Sequence, residues 1–268
     1  MKKNILNKLV TLTLMTAMIF TFSACSKTKS PMERVKENGT LIVGTSGDYP
    51  PYEFHKKVNG EDKVVGFDIM IAEEIAKDLG VKLEIRDMNF EGLLGALKSN
   101  KVDMVIAGMN PTPERAKEVD FSKVYYVAKQ AVLVRAEDKD KIKSLDDLKG
   151  KKVGVQLSST QEEIAKSQIK DAEIKSLSKI TDLILELKNK KVDALVVELP
   201  VGQSYADKNK DLSMSDIEFD KSISEKGSAI AVTKNNQEFL DSINKTLDRL
   251  MTEDKINQFI VDASNMIE

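Results

Sequence analysis

The sequence holds a single cysteine, Cys25, and a single histidine, His55, and both scarcities exclude kinds of chemistry. One cysteine permits no disulfide within the chain, and no cluster of histidine, cysteine and carboxylate residues has metal-site spacing. The Gly-x-Ser-x-Gly elbow of a hydrolase is absent. No basic stripe interleaved with aromatic residues occurs, and the net charge is −2, which argues against a nucleic-acid partner.

What remains is the composition of an ordinary globular protein. Of 268 residues, 41% are apolar and 31% are charged. This length allows one large domain or two small ones, and the apolar fraction is sufficient for a packed core.

The amino terminus has the pattern of an export signal. A basic start, "MKKNILNK", precedes a mostly apolar run over residues 9–22. The run is too short to span a bilayer, which takes about 20 helical residues. We therefore expect a signal peptide over residues 1–24 and an exported protein.

Cys25 follows small residues in "FSACS", which resembles the lipobox of bacterial lipoproteins. In that motif the cysteine becomes the first mature residue and carries acyl chains such as palmitate. The alternative is ordinary secretory cleavage that leaves a free thiol. We expect a lipid anchor on the outer face of the bacterial cytoplasmic membrane, with residues 25–36 as the lipidated cysteine and a tether.

Strand and helix patterns alternate from residue 40 onward. A helix pattern in "GFDIMIAEEIAKDLG" ends at a glycine, and Val58-Asn59-Gly60 signals a hairpin. "ALKSNKVDMVIAG" recurs as "ELKNKKVDALVVE" about ninety positions later, although a chance match of a common helix-turn-strand joint is possible. The repeat predicts two α/β lobes with parallel strands, covering residues 37–127 plus 228–268 and residues 128–227, and joined by two crossover segments.

Two lobes facing each other would form a ligand cleft. In open parallel sheets, ligands lie beyond the carboxyl ends of the strands. Four segments meet that description in this chain: 44–49, 107–110, 156–160 and Glu198.

Two charged residues near these strand ends suggest an α-amino acid. Arg115 lies in the loop "GMNPTPERAKEVDFS", where two prolines prevent regular structure. An arginine fork grips a carboxylate, and Glu198 could accept an ammonium group. The alternatives are a surface salt bridge from Arg115 to Glu114 or Glu118, and a helix-start carboxylate for Glu198.

The motifs "GFDIMIAEEIAKDLG", "GMNPTPERAKEVDFS" and "VQLSSTQEE" resemble family 3 bacterial solute-binding proteins, the polar amino-acid receptors of ABC importers. The resemblance implies a type II periplasmic-binding-protein-like fold. It also implies a monomer that binds a free amino acid or close derivative, needs no cofactor, and works with ABC permease and ATPase subunits.

The resemblance also assigns roles to residues of this chain. Arg115 would bind the ligand carboxylate and Glu198 the α-amino group. The remaining candidates would assist Arg115 or line the side-chain pocket: Gly108, Asn110, Ser159 and Thr160 near the carboxylate, and Ser46, Tyr49, Phe90 and Gln156 around the side chain.

The ligand side chain is less determined. Hydroxyl and amide groups favour a polar uncharged or sulfur-containing amino acid. No residue is identified as a fixed charge opposite a ligand charge, although Asp48, Glu53 and Glu163 are near enough in sequence to supply one.

Two other functions are compatible with the scaffold. Some exported relatives of this family look like cyclohexadienyl dehydratases, but that chemistry needs a placed acid or base, and His55 lies in a polar, hairpin-like stretch. An amino-acid sensor that signals to a membrane kinase is the other. We expect a binding protein rather than an enzyme.

Overall fold

The computed structural model describes residues 29–220 and 227–267 of the chain. Contacts divide the chain into two compact units, Met1–Ser30 and Pro31–Glu268, and every helix and strand named below belongs to the second unit. The predicted signal peptide, residues 1–24, and the predicted lipidation at Cys25 lie outside the described residues.

The first part of the fold alternates helices and strands, with a short 3-10 helix at Phe90–Gly92. Its elements in chain order are α1 (Pro31–Asn38), β1 (Thr40–Thr45), β2 (Asp48–Tyr49), β3 (Glu53–Val58), β4 (Glu61–Val65), α2 (Phe67–Leu79), β5 (Lys82–Asp87), α3 (Leu93–Lys98), β6 (Met104–Val105), α4 (Pro113–Glu118) and β7 (Val119–Phe121).

The second part repeats this alternation and then returns to the first. Short 3-10 helices occur at Ala136–Asp138 and Leu145–Leu148. The remaining elements are β8 (Gln130–Arg135), β9 (Lys152–Gln156), α5 (Thr160–Gln168), β10 (Glu173–Leu177), α6 (Ile180–Lys188), β11 (Ala194–Glu198), α7 (Leu199–Lys208), β12 (Leu212–Met214), β13 (Ala231–Thr233), α8 (Gln237–Thr252) and α9 (Lys255–Met266).

Two five-stranded sheets form the centres of two α/β lobes. The first has the order β5-β1-β6-β13-β7, and the second has the order β10-β9-β11-β8-β12. In each sheet four strands run in one direction, and one strand, β13 in the first sheet and β8 in the second, runs antiparallel to them. The sequence predicted three of the four parallel strands of each sheet, and it placed β8 and β13 in the crossover segments, because a strand that follows a crossover carries no βαβ signal.

The two lobes are joined by two segments that run side by side. After β7 the chain crosses to β8, and it returns to β13 through residues 227–230. Tyr126 and Ser228 form an antiparallel bridge between these segments, with Ser228 N donating to Tyr126 O at 2.7 Å. This paired crossover is the natural hinge for a motion of one lobe against the other.

Helix α2 has the predicted form. Its buried face repeats at helical spacing through Phe67, Ile71 and Ile75, and each fully buried side chain of this size stabilises the fold by about 1.5–3 kcal/mol. Gly80 ends the helix in a left-handed conformation with φ 71°, and its N–H bonds to the carbonyls of Ala76 and Lys77.

Helix α1 differs from the sequence-based expectation. The predicted tether extended to residue 36, but residues 31–38 are helical. Met32 and Val35 are buried against the core that contains Leu41, because their spacing places both on one helical face. The sequence analysis missed this helix because polar residues surround Met32 and Val35 in the sequence.

Candidate ligand-binding site

A narrow cavity lies between the lobes, beyond the carboxyl ends of the parallel strands. It draws on β2 and β3, on the segment after β6, on Arg115 from α4, and on the start of α5. The lining residues are Ser46, Tyr49, Glu53, Phe90, Ala107, Gly108, Asn110, Arg115, Gln156, Ser159, Thr160 and Gln161. The structure thus brings nine of the ten predicted ligand-binding residues to one cavity.

Arg115 reaches across the gap between the lobes. Its Nη1 donates to Asn110 O at 2.9 Å, and its Nη2 donates to Ser158 O at 2.8 Å. Neither bond is a surface salt bridge, and Glu118 instead pairs with Lys98. Because a guanidinium has five N–H donors, Arg115 keeps donors for a ligand carboxylate.

The aromatic ring of Phe90 supports this guanidinium. The Arg115 Cζ atom lies 5.3 Å from the centre of the Phe90 ring, which is the geometry of a cation–π contact. Burial lowers the pKa of Arg115. An arginine stays protonated in proteins even so, and the ring holds the charge in place at the cavity wall.

Polar groups of both lobes meet beside Arg115. The Thr160 hydroxyl donates to Asn110 Oδ1 at 2.6 Å, joining the first lobe to the start of α5. Ser159 caps that helix by accepting the Glu162 N–H at 3.2 Å. A helix amino terminus favours negative charge, so this corner of the cavity suits a carboxylate.

Gly108 allows the chain to pass close to the cavity. Its φ is +54°, and a Cβ atom at this position would lie 3.3 Å from the Tyr49 ring. Its N–H donates to Asp68 Oδ2 at 2.9 Å. The position favours glycine for both backbone conformation and space.

Glu53 is a charged residue of the cavity wall that the sequence offered only as one of three possible counter-charges and did not assign to the site. It is fully buried, and its carboxylate oxygens accept no ordinary hydrogen bond within the described part of the chain, although its carboxyl group lies close enough to that of Asp68 for the two to share a proton. Burial, followed by the charge of Asp68, raises the pKa of Glu53 well above its ordinary value. The only sequence signal is the apolar "YPPYEF" around it, which indicates a buried position.

Two further carboxyl groups lie behind the cavity. Burial raises the pKa of Asp68 to about 7, against the opposing effect of N–H and O–H donors from Gly108 and Tyr125. Burial also raises the pKa of Glu198 to about 7, and the charge of Asp68 acts in the same direction. With Glu53 they form a buried acidic cluster that would favour a cation.

Among the described residues that line the cavity, one predicted ligand-binding residue is missing, and that residue is Glu198. It is 1% exposed and accepts a hydrogen bond from the Tyr52 hydroxyl. It stands directly before α7, yet its side chain makes no capping bond to that helix within the described structure. The Tyr49 hydroxyl accepts the Glu198 N–H at 3.4 Å, which connects this strand end to the cavity wall.

Two glutamine side chains complete the second-lobe wall. Gln156 was predicted, and its amide donates to Ser178 O at 3.3 Å. Gln161 was not predicted. Its amide donates to Gln130 Oε1 at 2.9 Å and to the Tyr49 hydroxyl at 3.3 Å, the latter across the gap between the lobes. It lies one residue beyond the segment that strand-end reasoning selected.

His55 lies away from this cavity, on the exposed hairpin of β3 and β4. Its two ring nitrogens contact Asp62 Oδ2 at 2.9 Å and Asp87 Oδ2 at 3.1 Å, and its side chain is 45% exposed. Side-chain contacts with Asp87 and the charge of Asp62 raise the pKa of His55, although burial opposes them. This environment favours the charged form of the imidazole.

Residues 29–220 and 227–267 provide neither a membrane-spanning helix nor a metal site. No helix in those ranges is both long and apolar enough to cross a membrane. No group of three or more histidine, cysteine and acidic residues in the same ranges could hold a metal ion.

Comparison with known proteins identifies a family. Residues 41–261 match the model of the bacterial extracellular solute-binding proteins, family 3. The arginine-binding extracellular protein ArtP of Bacillus subtilis (strain 168) is 43% identical over 230 residues, covering 85% of this chain and 86% of ArtP. The L-cystine-binding protein TcyJ of Escherichia coli (strain K12) is 32% identical over 218 residues, covering 81% of this chain and 79% of TcyJ.

A solved structure agrees with these sequence comparisons. The amino acid ABC transporter substrate-binding protein AbpA from Streptococcus pneumoniae, bound to L-arginine, superposes with a TM-score of 0.85 at 36% identity. The match covers 88% of this chain and 98% of AbpA.

Proposed function

Because the chain belongs to the bacterial extracellular solute-binding proteins of family 3, we propose that it captures an amino acid with a cationic side chain, arginine foremost, for an ABC permease. The observation that carries the cationic specificity is the fully buried Glu53 carboxyl group in the cavity wall, which accepts no ordinary hydrogen bond among the described residues.

A buried carboxylate needs a counter-charge. Leaving a buried charge without its partner costs about 3–5 kcal/mol, so Glu53 is poorly stabilised unless a proton or a cation joins it. A guanidinium group meets both oxygens of a carboxylate with two parallel hydrogen bonds. Arginine in the cavity would therefore satisfy both carboxylate oxygens of Glu53 together.

The other end of the ligand would meet the predicted pair. We assign the ligand carboxylate to Arg115, with the N-terminal end of α5 beside it, and the α-ammonium group to Glu198. Glu198 is not among the described residues that line the cavity. For it to bind the ammonium group, the hydrogen bond that the Tyr52 hydroxyl donates to Glu198 must be shared with the ligand or broken. The cavity is narrow in this arrangement of the lobes, so the lobes must separate to admit a ligand.

This proposal replaces the preference for a polar uncharged or sulfur-containing side chain. That preference was based on the hydroxyls of Ser46 and Tyr49 and the amide of Gln156, which do line the cavity. None of them needs a counter-charge, whereas Glu53 does. Charge therefore outweighs hydrogen-bonding capacity in the choice of ligand.

Calorimetric titration with arginine, glutamine and cystine tests the proposal. Wild-type protein should bind arginine most tightly, and Glu53→Gln should weaken arginine by about 30-fold or more while changing glutamine by less. The matched control is Glu61→Gln, which removes an exposed charge that pairs with Lys63 outside the described cavity lining. Equal loss for arginine and glutamine, or tightest binding of cystine by the wild type, would contradict the cationic specificity.

Membrane attachment is a separate part of the proposal. An extracellular family supports export, and the "FSACS" motif supports acylation at Cys25. The full-length chain should incorporate labelled palmitate and sediment with membranes, and Cys25→Ala should do neither. Palmitate incorporation that persists in Cys25→Ala would refute the assignment.

The two other functions have separate tests. His55, the acid or base considered from the sequence, does not line the cavity within the described structure. Formation of product from a prephenate-like acid would favour the dehydratase alternative. Copurification from solubilised membranes should recover a permease, and recovery of a membrane kinase instead would favour the sensor.

A further inference from the structure

Helix α6 of the second lobe begins without a cap from its own sequence. Lys179 occupies the cap position, and it makes no side-chain capping bond among the described residues. Serine, threonine, aspartate and asparagine are the usual caps, because their side-chain oxygens accept the first free N–H groups of the helix. A lysine has only donors.

The first lobe supplies acceptors at this helix end. Asp48 Oδ2 accepts the Ile180 N–H at 2.6 Å, and Ile180 is the first residue of α6. Two positions earlier, the Ser178 hydroxyl donates to Glu91 Oε1 at 2.6 Å. One carboxyl group of the first lobe therefore caps the positive end of a helix in the second lobe, and another binds the residue before the cap position.

Asp48 has a second contact with the second lobe, and it also contacts a residue of the cavity wall. The Tyr205 hydroxyl, on α7, donates to Asp48 O at 2.9 Å. Within the first lobe, the Ser46 hydroxyl donates to Asp48 Oδ1 at 3.0 Å, and Ser46 lines the cavity. Asp48 therefore connects the cavity wall to the seam between the lobes.

We propose that Asp48 and Glu91 form an interlobe latch that stabilises the closed state of the protein by binding the amino-terminal end of α6. Neither residue is among the described residues that line the cavity. We therefore expect both to change the affinity by stabilising the closed lobes rather than by contacting the ligand. They are positioning residues for ligand capture, and this role rests on the proposed function.

Opening of the lobes would exchange each latch bond for a bond to water. A helix cap contributes a net amount that corresponds to about a 2- to 30-fold change in an equilibrium constant. The latch should act mainly on ligand release, because its bonds exist only after closure. Differences in affinity among variants of one site mostly reside in the dissociation rate.

The experiment compares Asp48→Ala and Glu91→Ala with the wild type by stopped-flow measurement of arginine dissociation. The measurement is made at pH 8, above the pKa of Asp48, which burial raises to about 6. Each variant should release arginine about 2- to 30-fold faster, with an association rate within about twofold of the wild type.

Two further variants separate latching from simple stability. Asp103→Ala is the matched control, because Asp103 accepts the Ile42 N–H at 3.0 Å inside the first lobe. It should lower the melting temperature without changing arginine release. Asp48→Asn should restore slow release, because its amide can accept from Ile180 and donate to Ser46.

A ligand-independent measurement keeps the proposal testable if arginine does not bind. In a Cys25→Ala background, spin labels at the exposed positions 98 and 170, one on each lobe, report the interlobe distance distribution. Asp48→Ala and Glu91→Ala should both shift it toward longer distances, whereas Asp103→Ala should not. A wild type that fails to bind arginine refutes the proposed specificity; unchanged distances and unchanged release in both latch variants refute the latch.

Discussion

At the scale of single residues, the cavity brings together charged side chains that little water can reach. Arg115 and Glu53 lie in the wall of one small cavity, and each is removed from most of the water that would stabilise its charge. Their charges could be compensated by the two poles of a cationic amino acid. The sequence predicted Arg115 because the proline-rich motif around it is distinctive, but the expected irregular loop is wrong at Arg115, which lies in helix α4 because Pro113 starts that helix and Thr112 caps it. Glu53 resembled Asp48 and Glu163 in the sequence, and only its place in the cavity wall distinguished it.

Removal of the Arg115 side chain should nearly abolish ligand binding. Arg115→Ala loses one partner of a desolvated charge pair, which costs about 2–5 kcal/mol, or about 30-fold to several thousand-fold in affinity. Calorimetry with arginine measures the change. Arg86→Ala, which removes an exposed guanidinium bonded to Glu84, is the control and should bind normally. Affinity of Arg115→Ala close to that of the wild type would contradict the assignment.

The acidic cluster predicts opposite effects of pH on stability and on binding. The pKa values of Asp68 and Glu198 are raised by burial to about 7, so their contribution to the stability of the ligand-free protein is present below about pH 4 and lost as the pH rises through 7. A cationic ligand favours the ionised carboxylates, so arginine affinity should rise over the same interval and level off above it. Melting temperatures with and without arginine, from pH 5 to pH 8, measure both trends. A ligand-induced shift that does not depend on pH would contradict this coupling.

At the scale of elements, the ends of strands and helices position the site. The sequence predicted the ends of elements well where a motif marks them, as at the Gly80 stop of α2 and the Asn59-Gly60 turn, both of which have positive φ. It predicted less where an end is set by a distant element. Nothing local in "SKITD" shows that α6 receives its cap from Asp48, because that contact joins residues 132 positions apart.

Gly108 gives a prediction at this scale. Gly108→Ala places a side chain in a left-handed conformation and within 3.3 Å of the Tyr49 ring, which lines the cavity and must then move slightly. We expect a loss of about 1 kcal/mol in the free energy of unfolding and weaker arginine binding. Chemical denaturation and calorimetry measure these effects. Gly95→Ala, at a helical glycine with open space around it, should leave binding unchanged.

At the scale of the whole molecule, two lobes with paired crossovers imply closure around a ligand. The fold class and the family were predicted from the internal repeat and from the "TPERAKEVDFS" motif, and both are confirmed. The lobe boundaries stay predictions. Helix α1 and the short strands β7 and β12 were not predicted, because such short segments take their structure from the sheet or core that receives them.

Ligand-driven closure should be visible in the size of the protein in solution. Small-angle X-ray scattering should give a smaller radius of gyration with saturating arginine than without it. The same experiment on Arg115→Ala should show no change on addition of arginine. A radius that is the same for the wild type in both conditions would contradict closure on binding.

The orientation of bound arginine can be read from a crystal structure of the complex. We expect the ligand carboxylate within about 3 Å of the Arg115 guanidinium, and the ligand guanidinium within about 3 Å of both Glu53 oxygens. A ligand whose side chain points away from Glu53, or one bound outside the cavity between the lobes, would contradict the proposal that opposed buried charges select a cationic amino acid.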